Sequence, residues 1–228
     1  MKSNILVSQL LPRSMERVLE DKGYSVIRLS PAIAIKSEVS FHPDVLCCKT
    51  PTGVWFGDSV VKPQMSDLVD FRTGLSLQNG YPHEVLYNCF FYDRFLFASC
   101  YTDKAVLQYA DESGFETVFV KQGYTKCSVA VCGKDSFITA DKGICTALEK
   151  KGYNILLIDG SDILLNGFSC GFIGGCCVMI SDNLIAFTGS LDKMLDGESI
   201  KNFLVQAGIE ILELSDNTLY DYGGLILV

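Results

Sequence analysis

Two histidines, three carboxylates and a lysine-flanked cysteine are the side chains here whose types and neighbours could do chemistry. Only two histidines occur in 228 residues, and each stands beside an acid in a turn-rich stretch: His42-Pro43-Asp44 and His83-Glu84. An imidazole titrates near neutral pH and can take a proton from a thiol. Cys127 follows Lys126, and an adjacent ammonium lowers a thiol pKa and populates the nucleophilic thiolate. Cys176 follows Gly174-Gly175, where the lack of side chains lets a ligand approach the backbone. The residues therefore suggest Cys127 as nucleophile with His83 or His42 as proton shuttle. Asp44, Glu84 and Asp221 could grip a cation through bidentate hydrogen bonds, or accept bonds from turn N–H groups. Lys121 and Lys126 would favour a carboxylate or phosphate instead. With Cys176, these five residues form the expected substrate-binding set.

The elements that must position these groups repeat. A β-like run, a helix-like run, a glycine and a second β-like run recur over residues 4–29, 95–120, 136–158 and 183–214. Gly23, Gly114, Gly152 and Gly208 stand where such helices should stop. Ser14 is expected to cap the first helix and Asp141 the third. Residues 50–53 read as a hairpin turn, 62–81 as a loop with a short helix, and the last nine residues as a terminal strand. No unit can bury its apolar face alone, so the copies must pack around a shared centre. One domain, residues 1–228, is expected, with helices outside.

The bulk composition narrows the function classes. Hydrophobic residues make up 48% and mean hydropathy is +0.25, which implies a well-filled core. With 19 basic and 27 acidic residues the net charge is −8, which repels phosphate backbones and argues against a nucleic-acid partner. No apolar stretch reaches the roughly 20 residues of a membrane span and no N-terminal signal is visible, so no membrane partner and a cytoplasmic, reducing location are expected. The ten cysteines then read mostly as small buried hydrophobes. There is no C-x-x-C pair, so no metal is expected. "GFIGG" at 171–175 is not a dinucleotide fingerprint, and no Walker, G-x-S-x-G or H-E-x-x-H motif occurs, so no cofactor is expected.

Iterated ββαβ units, together with "FHPDVL", "GYPHEVLYN", "VKQGYTKCS" and "GFIGG", resemble the pentein fold of guanidino-group-modifying enzymes, in an uncharacterised bacterial branch. The resemblance spans the chain and implies a closed five-unit α/β propeller whose last strand completes the first unit. It implies amidinotransferase- or arginine deiminase-like chemistry, with a cysteine, a histidine and acids around a guanidinium. It also implies that the segments leading into the inner strands face the axis. The family's cysteine sits just inside the last strand, where this chain has Tyr222-Gly223-Gly224-Leu225.

Two functional readings follow. In one, the chain is a cysteine-dependent hydrolase or amidinotransferase acting on a guanidino or amidine C–N bond in an axial pocket. In the other, it is a non-catalytic propeller that binds a small metabolite or docks a partner. Either uses a small-molecule ligand, and both are compatible with a homo-oligomer.

Overall fold

The computed structural model describes residues 3–60 and 70–228. The chain runs β1 (Asn4–Ser8), α1 (Arg13–Asp21), β2 (Ser25–Leu29), α2 (Pro43–Leu46), β3 (Cys47–Thr50), β4 (Gly53–Gly57), β5 (Asp70–Gly74), β6 (Phe90–Tyr92), β7 (Phe95–Ser99), α3 (Lys104–Glu112) and β8 (Glu116–Val120). It continues through β9 (Val129–Val131), β10 (Ser136–Thr139), α4 (Lys142–Glu149), β11 (Asn154–Leu157), β12 (Cys177–Ser181), β13 (Leu184–Phe187), α5 (Gly197–Gln206), β14 (Glu210–Glu213) and β15 (Ile226–Leu227).

These strands form five three-stranded sheets: β15-β1-β2, β3-β4-β5, β6-β7-β8, β9-β10-β11 and β12-β13-β14. In each, the inner strand pairs antiparallel with the middle strand, which pairs parallel with the outer one. The architecture is mixed α/β, a five-unit ββαβ propeller. Closure of the first unit joins the two ends of the chain: Ile5 opposes Leu227, and Asn4 and Val228 exchange backbone hydrogen bonds at 3.0 and 2.8 Å.

Burial follows the layers. Every residue of the middle strands β7 and β10 is buried, as expected for strands covered on both faces. The helices cover the outside through narrow apolar stripes: Met15 and Leu19 on α1, Val106 and Ala110 on α3, Ile144 and Leu148 on α4, Ile200 and Leu204 on α5. The helix-stopping glycines named from the sequence all have positive φ, between 68° and 95°.

Three local readings are corrected. Helix α1 starts at Arg13 behind Pro12, whose φ of −56° presets the first turn, so Ser14 lies inside the helix and makes no cap. Of the expected loop and short helix over 62–81, residues 62–69 lie outside the described residues, and Asp70–Gly74 is a strand, parallel to β4. Its polar sequence hides it because edge pairing, rather than alternating burial, holds it. The terminal strand shrinks to Ile226–Leu227 because Gly223 and Gly224, with φ of 76° and 70°, turn the chain through the hub first. Asp141 does cap α4, accepting from Ile144 N–H at 2.8 Å; Asp103 caps α3 in the same way.

Candidate functional site

The five segments that lead into the inner strands converge at one end of the propeller. Pro43 opens α2, and this single turn carries Asp44 to the hub, where its N–H donates to Gly223 O at 3.0 Å. Asn88, fully buried just before β6, ties three segments together. Its Oδ1 accepts from the N–H groups of Lys126 at 2.7 Å and Cys127 at 3.1 Å. Its Nδ2 donates to Asp44 O and to Cys127 Sγ, both at 2.9 Å. The Lys126 ammonium donates to Gly174 O at 3.3 Å, and Gly175 O accepts from the N–H groups of Tyr222 and Gly224 at 3.1 and 2.9 Å.

The hub is packed until backbone meets backbone. A Cβ on Gly174 would stand 2.3, 2.4 and 2.6 Å from the carbonyl oxygens of Val129, Lys126 and Cys127. One on Gly175 would fall 1.8 Å from Asp221 Oδ1, and one on Gly223 2.2 Å from His42 Cβ. Glycine is required here for close approach.

The three acids differ in what they lack. Asp221 is satisfied: Oδ2 accepts from Phe172 N–H and Oδ1 from Gly223 N–H, both at 2.8 Å. Glu84 is satisfied too, accepting from Gly80 N–H at 3.0 Å and from the Tyr124 hydroxyl. Asp44 is not. It is 1% exposed, and neither carboxylate oxygen accepts a hydrogen bond from the described residues. Burial, with the nearby Asp221 charge, raises its pKa to about 8, although the Lys126 ammonium and the Cys127 thiol favour the anion. An uncompensated buried carboxylate is costly and holds its proton instead.

Cys127 is 2% exposed. Burial pushes its thiol well up, and the Asp44 and Asp221 carboxylates add to the shift. Burial does the same to Cys176, whose Sγ donates to Phe172 O at 3.3 Å. His42 is 2% exposed, and burial lowers its pKa despite Asp221 Oδ1 at 3.6 Å from Nδ1. The hub thus holds a neutral imidazole and protonated thiols.

Behind the hub, the five inner strands wall one axial cavity of about 630 Å³. Asp44 and Lys126 line its hub end, and the hairpin tips at Thr50-Pro51, Gly133-Lys134 and Ser181-Asp182 line the other. The walls between are largely apolar, with Phe90, Val178 and Leu225 among them.

The structure therefore brings His42, Asp44, Lys126, Cys127, Cys176 and Asp221 to one hub. It leaves His83 and Lys121 exposed at the surface. His83 serves a turn through its backbone, donating to Gly80 O and accepting from Gln78 N–H. Glu84 braces that turn against Tyr124.

A family model matches residues 6–226, described as a family of unknown function, DUF6873. The chain belongs to that family. No curated protein matches it. Among solved structures, the DUF6873 chain is similar over its whole length to all of DDAH from Pseudomonas aeruginosa, a cysteine-to-serine mutant complexed with citrulline, at TM-score 0.58 and 9% identity. SxtG, an amidinotransferase from Microseira wollei, matches 94% of this chain and 88% of its own, at TM-score 0.55 and 9% identity. A C. jejuni agmatine deiminase with substrate bound matches 99% of this chain and 93% of its own, at TM-score 0.54 and 9% identity. The DUF6873 chain has the pentein fold.

Sequence reasoning missed Asn88. Its signal was present, a lone amide inside the apolar "VLYNCFF" run, in a lead-in segment where His83 drew attention instead.

Proposed function

We propose that this pentein-fold chain is a binding protein for a small molecule with an amidinium or guanidinium end, held in the axial cavity with that end on Asp44. One observation carries the reading: a buried carboxylate at the cavity end with both oxygens unpartnered among the described residues. Two free oxygens in one plane suit a planar cation that donates two parallel N–H bonds. Apolar walls suit a carbon body behind that cation, and the volume falls in the range of small-molecule sites. One of the similar structures is in keeping with the ligand class, being an agmatine deiminase with substrate bound.

Non-covalent binding is favoured over thiol catalysis by the state of Cys127. A catalytic thiolate needs a lowered pKa and access, whereas this thiol is buried and pushed up. The enzymatic reading retains one observation of its own, the Asn88 Nδ2 donation to Cys127 Sγ, which would steady a thiolate. Turnover assays with agmatine, arginine and methylated arginines separate the two. The proposal expects binding without product. Steady product formation abolished by Cys127→Ala would overturn it in favour of a cysteine-dependent hydrolase or amidinotransferase.

A further inference from the structure

The cavity wall carries a second chemistry, apart from Asp44. Cys48 lies on β3 and Cys89 just before β6, so the two belong to neighbouring sheets. Their sulfurs are 3.3 Å apart, with the Cys89 thiol donating to Cys48 Sγ. They are 1% and 3% exposed, and both line the axial cavity. Among ten free cysteines this pairing stands apart. Cys47 donates to Pro43 O at 3.3 Å and Cys177 to Ile173 O at 3.4 Å, each toward a carbonyl at the hub end.

We propose that Cys48 and Cys89 are a redox pair that closes to an intersheet disulfide when a small disulfide compound enters the cavity. A disulfide bond is about 2.05 Å long, so the sulfurs, 3.3 Å apart, must approach by about 1.3 Å. The pair is asymmetric. The hydrogen bond to Cys48, then burial, push the Cys89 thiol well up, which keeps the proton on Cys89 and leaves the Cys48 sulfur as its acceptor. Cys48 is therefore the attacking sulfur and Cys89 the resolving one.

The exchange balances without another reagent. Cys48, losing its proton, attacks one sulfur of R–S–S–R. A Cys48–S–S–R bond forms, the R–S–S–R bond breaks, and RS⁻ leaves and takes that proton. Cys89 then attacks the Cys48 sulfur, expels the second RS⁻ and supplies its proton. The protein dithiol is oxidised by two electrons and the disulfide compound is reduced by two, giving two RSH. The new bond ties β3 to β6 and draws in the wall between two units. None of this depends on what binds Asp44.

The test treats the native full-length protein with hydroxyethyl disulfide, blocks remaining thiols with N-ethylmaleimide and maps unreduced tryptic peptides. The expected product joins the peptide containing Cys48 to the peptide containing Cys89. It persists in Cys47→Ser and is released by dithiothreitol. In Cys89→Ala the reaction should stop at the first step and leave a hydroxyethyl adduct on Cys48. The proposal is overturned if Cys48 and Cys89 both carry maleimide under conditions that modify the exposed Cys100, or if the cross-link survives Cys48→Ser.

Discussion

The two ends of the axial space are built from the same five strands and come out opposite in character. At the hub, glycines at 174, 175 and 223 let backbones touch, and Asn88, Asp221 and Lys126 fill hydrogen bonds that the turning chain would otherwise leave open. A few residues along the same strands, apolar side chains of moderate size stand around an open volume of about 630 Å³. Asp44 belongs to both regions. Its backbone is locked into the hub, while its carboxylate makes no well-formed hydrogen bond there, with only the nearby Lys126 ammonium and Cys127 thiol favouring its anion, and it lines the cavity. The contrast teaches that one convergence of strands can be spent on rigidity at one end and on a chamber at the other. The residue joining them is where ligand recognition is to be sought.

The largest effect should come from filling the hub. Gly174→Ala places a methyl group against three carbonyl oxygens closer than 3 Å, and a loss of about 4 kcal/mol or more is expected in urea unfolding. A loss under about 1 kcal/mol would mean the hub is looser than described. Asn88→Ala removes four hydrogen bonds at buried or partly buried positions and should cost about 3 kcal/mol in the same assay. Asn88→Asp should not restore it, because the lost amide N–H groups served Asp44 O and Cys127 Sγ.

Asp44 sharpens the contrast through pH. Its folded pKa of about 8 lies above the unfolded value near 4. Between those values the native state holds a proton that the unfolded chain has released, so Asp44 lowers stability as pH rises, with the full cost above about 8. Asp44→Asn does not titrate. Relative to wild type it should gain about 4 kcal/mol between pH 5 and pH 8.5, read as the difference between paired urea midpoints. A pH-independent difference would mean that Asp44 is ionised and partnered in the native state. The smallest effect concerns access. In native protein at pH 7.5, Cys127 should react with iodoacetamide at least ~100-fold more slowly than the exposed Cys100, measured by peptide mapping. Equal rates would reopen the nucleophile reading.

Much of the fold was legible in the sequence because α1, α3, α4 and α5 each carry a stop glycine and the middle strands are mostly apolar. Ring closure was implied by the resemblance to the pentein fold, and the strand-like character of both chain ends agreed with it. β5 was not legible, since pairing to one neighbour leaves no alternation in Asp70–Gly74. The site was legible only as a neighbourhood. Placement of His42, Asp44 and Asp221 near the axis could be read from turn-rich lead-ins, but hydrogen-bond satisfaction could not. In one dimension Glu84 and Asp221 look as available as Asp44, and only the folded chain shows that backbone N–H groups and the Tyr124 hydroxyl already occupy them. Lys126 beside Cys127 suggested an activated thiol, but burial outweighs the ammonium, a balance that neighbouring residues in sequence do not reveal.

The central claim is that Asp44 receives a planar cation in the axial cavity. It is tested most directly by calorimetric titration of benzamidine and agmatine into wild type, Asp44→Asn and Cys127→Ala across pH 6–9. A cation binds the ionised carboxylate, so wild-type affinity should rise about tenfold per pH unit up to about 8 and then level off. It should be lost in Asp44→Asn and kept in Cys127→Ala. Affinity that ignores pH and survives Asp44→Asn, or that falls as pH rises, would contradict the account.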